Sequence, residues 1–301
     1  MRGARPAALP PDEGDRPILR AASLSLSPSP RRADPEPSRA PWLGLVINVA
    51  IVLVLYGIYE YTRGLVHPNS SVALSHAHAV WSWEVNHGLF VEPAWQQFWL
   101  GRVHILGWLT PARMEDFLDT GYLYVHFAGT VAFLFWLFFR RRRYFAVVRN
   151  LFFVTTSVAL AIYILYPLAP PRLATNLFYD HHRYTFIDPM RQVLGSLPET
   201  GQIGYNPYAA MPSLHFGWAL IIGCTLFLTL RPLWLRLLGL CYPAFMLSVI
   251  VISGNHFFAD AMGSTIVVAC SAGVVLAWHT WRGALPWTWR LRQPVGTRTA
   301  D

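Results

Sequence analysis

Three short strings in an otherwise apolar chain carry residue types that could hold a phosphate or move a proton. The first is Ala210-Met211-Pro212-Ser213-Leu214-His215. Proline is favoured near a first helical position, where its missing N–H would have no intrahelical partner anyway, so the string predicts a helix start. The free N–H groups of such a start, with the Ser213 hydroxyl, suit an anion such as phosphate. His215, in the same turn, can donate a proton to an oxygen of that anion. An ordinary helix cap followed by an interfacial histidine would look the same.

The second string is Ser253-Gly254-Asn255-His256-Phe257-Phe258-Ala259-Asp260. His256 and Asp260 are four residues apart and share one helical face, with Asp260 about 6 Å deeper along the axis. An unpaired carboxylate at the centre of a bilayer costs about 2.5–3.5 kcal/mol, so a partner is expected. The ring N–H of His256 is the nearest, which leaves its other nitrogen as a directed nucleophile or base. A purely structural His–Asp pair is the alternative. The third string, Tyr166-Pro167-Leu168-Ala169-Pro170-Pro171-Arg172, ends in a guanidinium whose planar fork suits phosphate oxygens. Its alternative role is an interfacial arginine after a proline stop. Arg183 and Arg191 are candidates for a second phosphate ligand by charge alone, with no local pattern to support them.

The elements that must position these strings are membrane helices. Of 301 residues, 54% are hydrophobic and only 13% charged, about half the charged share of a soluble domain. A nucleic-acid partner is excluded despite the +8 formal charge, because the 24 basic residues are all arginine and most sit at the ends of apolar runs. Six stretches are long enough to cross a bilayer, which takes about 20 apolar residues. They run over Leu43–Tyr61, Gly121–Phe139, Phe145–Tyr166, Met211–Leu230, Leu237–Ser253 and Phe257–Trp281. Cys224, Cys241 and Cys270 lie inside these runs and read as small core residues, not as a disulfide framework or zinc spacing. Residues 1–41, rich in Pro, Arg, Ser and Ala, read as a disordered tail. The first span reads as a retained anchor instead of a cleaved signal. The domain organisation expected is a cytoplasmic tail over 1–41, a six-helix membrane domain over 42–284 and a second cytoplasmic tail over 285–301.

Arginine sets the orientation. With the N-terminal tail inside, 18 of the 24 arginines fall on the cytoplasmic side, the bias expected of cytoplasmic loops. Both ends are then cytoplasmic, and all three strings fall on the outer face of the membrane. The outer segment 63–119 mixes Trp81, Trp83, Trp95, Trp99 and Trp108 with charges and prolines, a pattern suited to helices lying in the interface. It also carries Glu84-Val85-Asn86-His87, the Glu-x-x-His spacing of di-iron bundles. Only one copy exists, so no metal site is expected there.

In this order, and on one face of six spans, the three strings resemble the type 2 phosphatidic acid phosphatase superfamily. The branch most similar is that of inositolphosphotransferases related to inositol phosphorylceramide synthase. The resemblance implies an all-α membrane fold in which His256 attacks phosphorus to give a phosphohistidine. It further implies that Asp260 orients His256, that His215 protonates the leaving oxygen, and that Arg172 and Ser213 hold the phosphoryl oxygens, without metal or cofactor. Leu214 stands where the phosphatase branch usually has glycine, Ile250 where it has an arginine, and the first motif has no lysine; the inositolphosphotransferase branch tolerates these departures.

The function expected is therefore a phosphatase or phosphotransferase of the plasma membrane, acting on a lipid phosphate or phospho-headgroup at the outer leaflet. The acceptor is water or a small alcohol such as inositol. A plain lipid-phosphate or polyprenyl-diphosphate phosphatase is the near alternative. A proton-coupled transporter or lipid-binding protein using the His–Asp pair as a relay is the alternative of another class, although no repeated halves are visible.

Overall fold

A computed structural model of the chain describes residues 43–44, 46–51, 53–54, 57, 61, 70–102, 110–174, 186–188 and 206–283. The chain divides into two units, Met1–Val46 and Ile47–Asp301; the site strings all lie in the second. Of the first expected span, the described residues are helical. Both tails lie outside the described residues.

The described elements are helical apart from one parallel bridge, Leu168 to Ala209. Helix α1 spans Ser70–Asn86 and the short α2 spans Glu92–Gln96, opened by Pro93 and continued by a wide turn over Gln97–Arg102. Helix α3, Pro111–Thr120, starts at Thr110, whose side chain accepts the Arg113 N–H. It passes through a second wide turn, Gly121–Val125, into α4, His126–Arg140. Then come α5 (Arg142–Leu165), α6 (Leu214–Thr229), α7 (Leu233–Ile252) and α8 (Phe258–Trp281).

Three of these, α5, α7 and α8, are long and apolar enough to cross a membrane, while α4 and α6 are apolar but shorter. The 24 residues of α5 and of α8 reach about 36 Å at 1.5 Å each, more than the roughly 30 Å hydrocarbon layer. Helix α4 has only 15 residues, but the wide turn before it adds helical length at its first end. The expected second span therefore begins not as a fresh helix at Gly121 but within a helical rod that starts at Pro111.

Helices α5 to α8 alternate in direction, so all three strings gather at one end. There, Tyr163 donates its hydroxyl to Pro212 O (2.6 Å), and the Arg172 N–H bonds to Gly254 O (3.0 Å). The opposite end holds Arg149 and Arg236. Arg149 bonds Asn48 and Asn150, Asn150 meets His279, and Arg236 Nε donates to Phe227 O.

Close backbone contact joins α6 to α7. A Cβ on Gly223 would stand 2.7 Å from Pro243 Cδ and 2.8 Å from Gly239 O, and one on Gly239 would stand 2.8 Å from Leu226 Cβ. Glycine is required at both positions, and small residues are what allow helix backbones to pack tightly without a hydrophobic driving force between them. The three cysteines occupy exposed positions on α6, α7 and α8, which corrects the expectation of core residues. A membrane helix is apolar all round, so its composition does not separate the packed face from the outward one.

Candidate active site

At the gathered end, α8 begins with Phe257 as N-cap and Asp260 in its first turn. His256 stands just before this start. Its Nδ1 lies 2.8 Å from Ala210 O and 3.1 Å from Asp260 Oδ2. A carbonyl oxygen only accepts, so the ring proton of neutral His256 sits on Nδ1 and Nε2 keeps its lone pair. Asp260 is wholly buried and also accepts the Phe257 N–H at 3.0 Å. The carboxylate thus fixes the ring and the backbone beside it together.

Ser213, fully buried, is the N-cap of α6, and its Oγ accepts the Phe216 N–H. The proline expected near the first helical position lies instead one residue before the cap, joined to Met211 by a cis peptide. The Ser213 N–H reaches Asp260 O (3.3 Å), and Ser264 donates its hydroxyl to Ser213 O (2.7 Å). These bonds lock the first turn of α6 to that of α8. His215, half-buried on the first turn of α6, brings its ring centroid to 6.4 Å from that of His256.

Arg172 lies in a short 3-10 turn, Pro171–Leu173, just after the proline stop of α5. Its Nε donates to Asn255 Oδ1 (2.8 Å), and its Nη1 pairs with Asp188 (3.2 Å). Asn255 in turn donates to Ser253 Oγ at 2.8 Å. The guanidinium is therefore held against the residue preceding His256. All five residues picked from the sequence, Arg172, Ser213, His215, His256 and Asp260, converge on one end of the bundle. Arg183 and Arg191 lie outside the described residues.

Several further neighbours lie outside the three strings. Tyr122, from the wide turn before α4, stacks on His215 with centroids 3.8 Å apart and planes at 18°. His126 is buried 5.1 Å from the His215 ring and bonds Tyr242 Oη through Nδ1 at 2.7 Å. Both sit in a run that composition marks only as apolar. On the other side, Glu84 Oε1 accepts the Ala259 N–H (2.7 Å) and Glu92 Oε1 accepts the Phe258 N–H (2.6 Å). Glu84 belongs to the one Glu-x-x-His spacing of the chain, but His87, just past the end of α1, turns back onto Trp83 O of that helix. Among the described residues no group of three or more His, Cys, Asp or Glu is placed to hold a metal ion.

Glu84 and Glu92 are both fully buried, and each leaves its Oε2 without an N–H or O–H from another described residue. Two ionised carboxylates on neighbouring N–H groups of one helix start would repel each other. Burial raises both above the ordinary carboxylate range, and the neighbouring Glu92 raises Glu84 further, so Glu84 is the one that keeps its proton at neutral pH.

A family model for the PAP2 superfamily matches residues 78–274, about two-thirds of the chain and all three strings. The chain belongs to the PAP2 superfamily. No curated protein and no solved structure matches it. As a PAP2 protein it belongs to a family of lipid phosphatases and phosphotransferases, and with its long apolar helices it is an integral membrane protein.

Proposed function

We propose that this PAP2 protein transfers a phosphoryl or phospho-headgroup from a membrane lipid through a phosphohistidine on His256. The observation that carries the proposal is the paired contact of His256 Nδ1 with Asp260 Oδ2 and Ala210 O. It leaves Nε2 as the nucleophile, with a second imidazole 6.4 Å away between ring centroids.

In the first half-reaction Nε2 attacks phosphorus, the bond from phosphorus to the lipid oxygen breaks, and His215 gives that oxygen a proton. In the second, His215 takes a proton from the acceptor hydroxyl, whose oxygen attacks phosphorus as the P–N bond breaks. Asp260 stabilises the charge that develops on the His256 ring. Arg172 and Ser213 hold the phosphoryl oxygens, Arg172 by charge and Ser213 by its remaining hydroxyl proton. Positioning and charge neutralisation supply most of what phosphoryl transfer requires, and in this reading the chain's own side chains supply both.

The acceptor proposed is a small alcohol such as inositol, with water as the near alternative. Leu214 and Ile250, at positions where the phosphatase branch carries glycine and arginine, favour the alcohol. Arginine bias supports a site on the outer face of the membrane with both ends of the chain in the cytoplasm, and the membrane proposed is the plasma membrane. Incubating the purified protein with labelled lipid phosphate or phosphoinositide, with and without inositol, separates hydrolysis from transfer by product. Loss of both products in His256→Ala is expected, and full turnover by that variant sinks the assignment.

A further inference from the structure

The segment before the second expected span has no role in the chemistry above, yet it reaches the backbone on both sides of His256. Gln96 Nε2 donates to Ile252 O, the last residue of α7, at 2.9 Å. Glu92, one helical turn earlier, accepts from the N–H of Phe258, the first residue of α8, at 2.6 Å. The two side chains are four residues apart and both fully buried. They bracket residues 253–257, the turn that carries His256.

Two further bonds extend the brace. Glu84, from α1, accepts the Ala259 N–H at 2.7 Å. With Asp260 on the Phe257 N–H, carboxyl oxygens meet three consecutive N–H groups at the start of α8. These groups have no intrahelical partner, and such caps fix the direction in which a chain enters its helix. Gln96 also clasps Ile187, donating to its carbonyl (3.0 Å) and accepting its N–H (2.8 Å). That places Asp188, the partner of Arg172, next to the same brace.

We infer that Glu92 and Gln96, backed by Glu84, are positioning residues that hold His256 in line with phosphorus by pinning the ends of α7 and α8. The inference rests on His256 being the reacting group. Because a misplacement of 1 Å can cost about 10²-fold in rate, loss of either pin should appear in kcat and leave KM for lipid phosphate almost unchanged.

The test compares Glu92→Ala, Glu92→Asp, Glu92→Gln and Gln96→Ala in the full-length protein in detergent, assayed with lipid phosphate. Glu92→Asp keeps the charge and withdraws the acceptor by one methylene, so it remains informative if the alanine variant does not fold. Glu92→Ala, Glu92→Asp and Gln96→Ala are expected to lose about tenfold to 10²-fold in kcat with KM within about threefold. Glu92→Gln, whose amide oxygen still accepts the Phe258 N–H, should recover to within about threefold of the parent. Wild-type kcat in Glu92→Asp and Gln96→Ala, with His256→Ala dead, overturns the inference alone. Activity in His256→Ala overturns the reading beneath it.

Discussion

Tyr122 lies flat against His215, with ring centroids 3.8 Å apart, so the proposed acid is held by an aromatic face from a different helix. The wide turn Gly121–Val125 makes this contact. An extra residue in a helical turn rotates the side chains that follow, and such turns recur at functional sites. Tyr122→Phe keeps the stacked ring and is expected to retain most of the turnover. Tyr122→Ala loses a contact worth about 0.5–1.5 kcal/mol, and its kcat should fall by up to about tenfold. Equal rates for the alanine variant and the parent would remove Tyr122 from the account.

Asp260 does two things at once, facing His256 Nδ1 and accepting the Phe257 N–H. An asparagine can accept one of these bonds but brings no charge to the developing imidazolium. Asp260→Asn should therefore fold and lose about 10³–10⁴-fold in kcat, the scale seen when a triad carboxylate is made neutral. Steady-state assays in detergent check this; a loss below about tenfold would mean that Ala210 O alone sets the ring.

Arg172 is held from two sides, by Asn255 and Asp188, and its fork is what those contacts select. Lysine keeps the charge but cannot meet Asn255 and a phosphoryl oxygen with fixed geometry. Arg172→Lys is expected to cost about tenfold to 10²-fold in kcat/KM. Retention of full activity would show that only charge matters at this position.

A stability prediction follows from the buried carboxyl pair. Burial, then the neighbouring Glu92, push the Glu84 carboxyl from the ordinary 4.5 up to about 10. The folded protein keeps a proton that the unfolded chain has released above the ordinary value, so stability falls as pH rises through the interval between those two values. Glu84→Gln carries no titrating group. Its melting temperature in detergent should decline less than the parent's from neutral pH to about pH 10, and parallel declines would contradict a proton held on Glu84.

The close contact of α6 and α7 has its own test. A methyl group on Gly223 would overlap Pro243 Cδ and Gly239 O at 2.7 and 2.8 Å, contacts that real side chains do not make. Gly223→Ala is predicted to destabilise the bundle by about 1–3 kcal/mol, read as a lower melting temperature. An unchanged melting temperature would show that the two helices separate freely.

The sequence was most informative where a polar group broke an apolar run. His256 and Asp260 were legible because a carboxylate at that depth demands a partner, and the Pro170–Arg172 stop was legible as a chain exit. The pins on α8 were hidden, because Glu84 and Glu92 lie 175 and 166 residues from the N–H groups they meet. Nothing local points Glu92 to that contact, and Glu84 stood out only through a Glu-x-x-His spacing unrelated to it. Tyr122 and His126 were hidden for the opposite reason, since both sit inside an apolar stretch whose periodicity does not reveal the wide turn. The cysteines were misplaced on the packed side because lipid and protein interior select the same residues.

The central claim is a covalent phosphorus–nitrogen bond at one imidazole. Rapid acid-free quenching of the protein with labelled lipid phosphate, followed by detection of acid-labile, base-stable label on the chain, tests it most directly. Label that maps to His256 and disappears in His256→Ala is the expected result. Turnover of lipid phosphate by the parent with no label on His256 at any time point would contradict it.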